Sequence, residues 1–319
     1  MKHQTVLKHE AVSYLSIKTG GIYIDSTFGA GGHSREILSQ NCNITLFCID
    51  RDPSTMQYFS QLQNDFPRAD LHFINQKFST GILEISSKIG ANADGVLFDL
   101  GVSSMQLDDA HRGFSFRQDS ELSMQMGINS ISAFDVVNSF SEEELANLIY
   151  KYGDERKSRR VAKSIIESRK IKEISTTLEL AEIVKKSVGR YNDTIHPATR
   201  TFQAIRIYVN DELEDVEKAL ENINKVCKIG ARVVFISFHS LEDEIIKRFI
   251  KNHDPEKQNL VEYDRNYGII TKNIIKTKGI AVKAAHKGVI TPSEEEIRHN
   301  VRSRSAKMRC FEIVKEQLE

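Results

Sequence analysis

Five short apolar runs recur along the chain, at residues 22–25, 45–50, 71–74, 95–100 and 231–237, separated by stretches with helical spacing. Within them, residues such as Val233, Val234, Phe235 and Ile236 follow one another without polar alternation. A strand of that kind is covered on both faces. Alternating with helices, such strands predict an α/β fold around a mainly parallel, Rossmann-like twisted sheet. The helix ahead of the fifth strand is set by Leu213, Val216, Leu220, Ile223 and Cys227, which share one face at spacings of three and four. Gly230 stands where a glycine would stop that helix. Beyond the fifth strand, Ser240 is expected as an N-cap with Asp243 at the third helical position, ahead of the apolar Ile245, Ile246 and Phe249.

The connection between the fourth and fifth strands, residues 102–230, is far longer than the ~30 residues of a whole strand–helix–strand unit. Its surplus is helical in pattern: Ser141 followed by Glu142, Glu143 and Glu144 opens one helix, and Thr177, Leu178 and Glu179 open another. A structureless loop of that length has no place in a compact domain. The reading is a helical domain inserted at 105–205, interrupting a larger domain built from 1–104 and 206–319.

Composition adds limits. Of 319 residues, 40% are hydrophobic and 28% charged, the balance of a soluble globular protein. No apolar run approaches the ~18 residues of a membrane helix, and the N-terminal segment lacks the apolar core of a secretory signal. Cys42, Cys48, Cys227 and Cys310 are scattered, so neither a disulfide framework nor a zinc site is expected, and the His and Asp spacings suggest no other metal. The expected compartment is the cytoplasm. Basic and acidic residues balance at 44 each, against non-specific coating of nucleic acid. The bases nevertheless cluster. Residues 151–170 hold eight of them against three acids. Lys272, Lys276, Lys278, Lys283 and Lys287 form a second block, and Arg298, Arg302, Arg304, Lys307 and Arg309 a third. Each block fits a solvated helix face or a local patch for a polyanion.

The candidate chemistry starts after the first strand, in Asp25-Ser26-Thr27-Phe28-Gly29-Ala30-Gly31-Gly32-His33-Ser34. Glycines there let the backbone turn sharply and approach a ligand, although Ser34 replaces the last glycine of a dinucleotide fingerprint. Asp50 ends the second strand about twenty residues beyond Gly31, where an acid accepts hydrogen bonds from ribose hydroxyls. NAD and S-adenosylmethionine both carry such a ribose. Asp25 and Asp99, ending strands one and four, would repel a pyrophosphate and suit a cationic amino-acid end, which favours S-adenosylmethionine.

The same residues carry a family resemblance. The chain resembles the bacterial ribosomal RNA small-subunit methyltransferase H family over nearly its whole length. The matching motifs are Thr27 to Ser34, Ile49-Asp50-Arg51-Asp52-Pro53, Asp99 to Asp109, Arg112-Gly113-Phe114-Ser115-Phe116, Tyr152-Gly153-Asp154-Glu155-Arg156, His196 to Ala204, Ile236 to Asp243, and Thr291-Pro292-Ser293-Glu294-Glu295-Glu296. The resemblance implies a class I S-adenosylmethionine-dependent methyltransferase fold with an inserted helical domain for RNA. It also implies N4-methylation of a cytidine in the decoding region of 16S rRNA, with that rRNA or the small subunit as partner; a homodimer is one assembly it allows. Cofactor contacts carry over onto Gly31, Gly32, His33, Asp50, Phe78, Asp99 and Gln106.

This sequence departs from the family at Met105, where a proline is usual, and in Leu122-Ser123-Met124-Gln125-Met126-Gly127. There Ser123, Gln125 and Gly127 replace an aspartate, an arginine and an aspartate. Asp99 and, in the loop after the fifth strand, His239 are the candidates to face the target base. Arg112, Arg117, Arg200 and Arg206, in or beside the insert motifs, are the candidate RNA contacts. Two other readings compete: a binding module that holds S-adenosylmethionine or RNA without turnover, resting on the altered 122–127 segment, and a nicotinamide oxidoreductase.

Overall fold

The computed structural model describes residues 5–127, 129–189, 196–258, 262–264, 268–270 and 280–315. They form two compact units, Met1–Gly101 with Leu213–Glu319, and Val102–Glu212. The second is slightly wider than the insert read from the sequence.

In the first unit, α1 (Lys8–Leu15), β1 (Ile22–Asp25), α2 (Gly32–Gln40), β2 (Thr45–Ile49), α3 (Met56–Asp65), β3 (Asp70–Ile74), α4 (Phe78–Ile89) and β4 (Ala93–Asp99) alternate. The second unit carries α5 (Ser104–Asp108), α6 (Ala133–Ser139), α7 (Glu142–Gly153), α8 (Ser158–Arg169), α9 (Thr177–Val188) and α10 (Thr199–Asn210). The chain returns through α11 (Glu212–Val226), β5 (Cys227–Ser237), α12 (Ser240–His253) and α13 (Pro255–Gln258). A small hairpin of β6 (Glu262–Asp264) and β7 (Gly268–Ile270) follows, then β8 (Ala281–Ala284), α14 (Glu294–His299) and β9 (Lys307–Lys315).

Among the described residues, seven strands form one sheet in the order β3-β2-β1-β4-β5-β9-β8. The first five are mutually parallel, and β9 runs antiparallel to both its neighbours. The α/β, mainly parallel fold expected from the apolar runs is the one observed. Alternate side chains of each central strand serve the two faces. Val96, Phe98, Val233 and Phe235 pack with α4, α11 and α12, while Leu97, Val234 and Ile236 pack with α1 and α2. Phe98 and Phe235, direct partners across β4 and β5, stack with ring centroids 4.2 Å apart.

Three local readings are corrected. Gly230 does not stop α11. The helix runs straight into β5 at Cys227, which pairs with Ala93, and Gly230 lies inside the strand at φ +82° where the register slips. A left-handed glycine in such an irregularity is what a bulge requires. The N-cap of α12 is His239, not Ser240, because the Glu242 carboxylate reaches back to the N–H groups of Phe238 and His239. The third basic block conceals β9: Lys307 and Arg309 alternate with buried Met308 and Cys310, and Arg309 donates twice to Asp243.

The helical unit has its own core, including Leu145, Ile149, Val161, Ile165, Leu180, Val184, Phe202 and Ile205. Ser132, Ser141 and Thr176 open α6, α7 and α9 with reciprocal capping boxes to Asp135, Glu144 and Glu179. Among the described residues, no helix is long and apolar enough to cross a membrane. Gly153, closing α7, meets α10 so tightly that a Cβ would lie 2.5 Å from the Arg200 carbonyl oxygen. Gly153→Ala is therefore expected to destabilise the protein by about 1–3 kcal/mol, as overpacking does; urea unfolding followed by circular dichroism measures it.

Candidate active site

The loop that closes β1 is built by backbone hydrogen bonds to the neighbouring strands. Ser26 N–H donates to the Leu97 carbonyl and Phe28 N–H to the Ile49 carbonyl. Gly29 N–H donates to Asp50 Oδ2 at 2.7 Å, and the Thr27 hydroxyl accepts from Asp99 N–H at 2.6 Å. Gly29 and Gly31 take left-handed φ values of +55° and +76°, and α2 begins directly after Gly31. A Cβ on Gly32 would fall 1.8 Å from Thr5 Oγ1. The loop is thus fixed from β1, β2 and β4 at once, at the carboxyl edge of the sheet where α/β proteins bind ligands.

Three carboxylates end those strands. Asp50 accepts from Gly29 N–H on one oxygen and from Asp52 N–H, at 2.8 Å, on the other, which fixes the plane of the group. Burial pushes its carboxyl up to about 6, against the lowering effect of those N–H groups. Asp99 is partly open, its side chain 24% exposed, yet its Oδ1 is buried and has no hydrogen-bond partner among the described residues. Asp25 departs from expectation. It is fully buried, accepts from the Ser34 hydroxyl at 2.7 Å and from Thr27 N–H, and so lies beneath the loop rather than facing a ligand. Burial raises its carboxyl above the ordinary range, and His33 beside it acts in the opposite sense. Ser34, read only as a missing glycine, is the group that anchors Asp25.

His33 is 3% exposed and places Nε2 3.5 Å from Asp99 Oδ2. Neither ring nitrogen has a hydrogen-bond partner among the described residues. Phe78 opens α4, half-buried and edge-to-face with Phe98 at 5.5 Å. Gln106 lies in the helical unit, where its side chain closes the capping box of α5 with Ser103. His239 caps α12: its Nδ1 accepts from Glu242 N–H at 3.4 Å, and its Nε2 lies 3.2 Å from Glu242 Oε1.

The four candidate arginines differ in their surroundings. Arg206 forms a two-pronged ion pair with Glu212, both contacts 2.8 Å. Arg112 donates to the carbonyls of Gln125 and Met126 and lies over the Phe114 ring. Arg117 is exposed, and Arg200 is half-buried on α10. In the first basic block, Lys157 and Arg169 donate to the Val188 and Val137 carbonyls, whereas Arg156 and Arg160 are exposed. Lys272, Lys276 and Lys278 lie outside the described residues, and Lys283 pairs with Glu256.

The 122–127 segment replaces charges with a neutral network. Gln125 Nε2 donates to the carbonyls of Asn129 and Ile131. Asn210, fully buried, donates to the Met124 and Arg206 carbonyls and accepts from Met126 N–H and Asn129 Nδ2. With Arg112 above it, the segment is held on several sides, and Met124 is fixed in a left-handed conformation at φ +56°.

Comparison with known proteins places this geometry. The model of the MraW methylase family matches residues 1–314. The chain belongs to that family. A relative named ribosomal RNA small subunit methyltransferase H from Rickettsia rickettsii (strain Sheila Smith) is 42% identical over 318 residues, covering 98% of this chain and 99% of its own. The protein of that name from Rickettsia akari (strain Hartford) is 44% identical over 312 residues, covering 96% and 97%. Among solved structures, an rRNA methylase from Streptococcus thermophilus aligns over 96% of both chains at 9% identity, with a TM-score of 0.42, a distant likeness. The methyl donor of this methylase is S-adenosylmethionine, as the sequence led us to expect. The residues present fit a cationic, hydroxyl-bearing group chemically: Asp99 Oδ1 is an acceptor with no partner among the described residues, and the Asp50 carboxylate is held in a fixed orientation by two N–H groups.

Two outcomes follow. A carboxylate accepts hydrogen bonds from hydroxyls best when ionised, so, with Asp50 on the ribose as the sequence reading has it, affinity for S-adenosylmethionine should fall as pH drops through about 6. Without ligand the sign reverses. The folded carboxyl holds its proton more tightly than the unfolded one, so its stabilising effect is lost as pH rises from the ordinary carboxylate range towards about 6. Asp50→Asn should bind weakly with a flat pH profile, because its NH2 faces one of the two N–H groups that orient the carboxylate; calorimetry from about pH 5 to about pH 8 checks the binding, and wild-type thermal melts over the same range check the stability. Separately, Asn210→Ala should cost about 2–4 kcal/mol of unfolding free energy by stranding the groups it joins, read by denaturant titration.

Proposed function

We propose that this methylase transfers a methyl group from S-adenosylmethionine to N4 of a cytidine in the decoding region of 16S rRNA, acting in the cytoplasm on the rRNA or the small subunit. The observation that carries the reading is Asp99, an acid at the end of a central strand with one buried oxygen that has no hydrogen-bond partner among the described residues. The names of the relatives support rRNA of the small subunit as substrate. The order of motifs from Thr27 to Glu296 supports the cytidine and its N4.

Bound S-adenosylmethionine supplies an electrophilic methyl carbon, transferred in line to an attacking nitrogen. The chain's residues do the rest by position. Gly31 and Gly32 let the loop backbone close on the donor, Asp50 takes the ribose hydroxyls, and Phe78 offers a ring to the base of the cofactor. His33 and Asp99 stand at the amino-acid end. The cytosine N4 lone pair is shared with its ring, so an acceptor aimed at the N4 hydrogens helps the nitrogen rehybridise and offsets the charge it gains. Asp99 is the group we assign to that role. His239 already serves as a helix cap, which makes it the weaker candidate.

The target base must leave its stack to reach the methyl group. We assign the RNA grip to the helical unit, with Arg117, Arg200, Arg156 and Arg160 towards phosphates, a contribution that fades as salt rises. Arg112 and Arg206 act by holding that unit's own structure. In the altered 122–127 segment, Gln125 and Asn210 hold the backbone in place through neutral hydrogen bonds.

Mass mapping of small-subunit rRNA from cells with and without the protein should show one decoding-region cytidine losing a single methyl group; an unchanged map refutes the assignment. With purified protein, Asp99→Ala should lose both S-adenosylmethionine binding and turnover, whereas tight binding with lost turnover would make its role purely catalytic.

A further inference from the structure

The strand order assigns each part of the crevice to a part of the cofactor. Along the sheet the ends of β4, β1, β2 and β3 follow one another. If Asp99 at β4 meets the amino-acid end and Asp50 at β2 the ribose, the base falls beyond them, at the turn after β3. That turn is Asn75-Gln76-Lys77-Phe78-Ser79, and it opens α4.

A second group from the same unit lies against this turn. Asp215, in the first turns of α11, accepts from Ser79 N–H at 3.2 Å through Oδ1. It is 3% exposed, and its Oδ2 is buried without a hydrogen-bond partner among the described residues. Burial raises the carboxyl, while Ser79 and the nearby charges of Arg51 and Lys77 act to lower it. A helix cap alone needs one oxygen. A second acceptor, taken out of water and left unbonded, costs stability unless something supplies a donor. The first N–H groups of α4, beginning with that of Phe78, have no acceptor within the helix. An acceptor beside a donor, next to an aromatic ring, complements the edge of adenine, where an amino group adjoins a ring nitrogen that accepts.

We propose that the Asp215 carboxylate accepts a hydrogen bond from the exocyclic amino group of the cofactor's adenine and sets the preference for adenine over its deaminated form. The inference rests on the crevice being a S-adenosylmethionine site. It assigns Asp215 a direct contact with the cofactor, a role distinct from capping α4.

The test is equilibrium binding of S-adenosylhomocysteine and of S-inosylhomocysteine, in which a carbonyl oxygen replaces the amino group and the ring nitrogen becomes a donor. Wild type should prefer the adenosyl compound by on the order of a hundredfold. Asp215→Asn keeps an oxygen for Ser79 N–H and gains an NH2 that suits the carbonyl, so the preference should shrink by about tenfold or more. A wild-type preference below about threefold overturns the proposal whether or not the variant folds. So does a folded Asp215→Asn protein with an unchanged ratio. If folded wild type binds neither compound, the cofactor reading itself fails and takes the proposal with it. Tight binding of the adenosyl compound with an unmoved ratio removes the proposal alone.

Discussion

The hydrogen bond from Gly29 N–H to the Asp50 carboxylate is the tie on which the crevice depends. It joins the loop after β1 to the end of β2, and the Asp99 N–H bond to the Thr27 hydroxyl joins the same loop to the end of β4. Parallel strands make this possible because their carboxyl ends emerge side by side at one edge of the sheet. The left-handed backbone at Gly29 and Gly31 lets the loop turn tightly enough to meet both neighbours. The loop therefore owes its shape to the strands, and the acids that end the strands acquire fixed orientations from the loop.

Those acids are not equivalent. Asp25 is sealed under the loop by Ser34 and Thr27, where it braces the backbone. Asp50 is oriented by two N–H groups and retains lone pairs for hydroxyls. Asp99 keeps an oxygen unbonded among the described residues and lies beside the buried ring of His33. One residue type at three strand ends thus yields a buried structural anchor, a carboxylate oriented by two N–H groups, and a partly open carboxylate beside a buried imidazole. Holding Asp50 in a site that raises its carboxyl costs the empty protein stability, a cost of the kind expected where binding geometry is built in advance.

Much of this was legible from the sequence. The buried strands announced themselves by apolar continuity, the insert by an excess of chain, and the loop that meets Asp50 by its run of glycines. What escaped had physical causes. Asp25 and Asp99 look alike at strand ends, and only the Ser34 hydroxyl, distant in pattern and near in space, separates them. Strand β9 was hidden because Lys307 and Arg309 disguise its alternation, their charge being answered by Asp243 from α12. Gly230 obeyed the rule for a helix end but serves a slip in register against β4. The helix cap at His239 needed the reach of Glu242, which residue type alone does not reveal. In the helical unit, Gln125 and Asn210 show that a segment can lose charged residues and still be fully bonded.

We propose the edge formed by the glycine loop, Asp50 and Asp99 as the seat of the adenosyl cofactor of this methylase. Calorimetric titration of the folded wild-type protein with S-adenosylhomocysteine tests it without requiring RNA or turnover. The folded protein should give saturable heat at one ligand per chain, accompanied by a rise in melting temperature. A folded protein that gives neither saturation nor a shift in melting contradicts it.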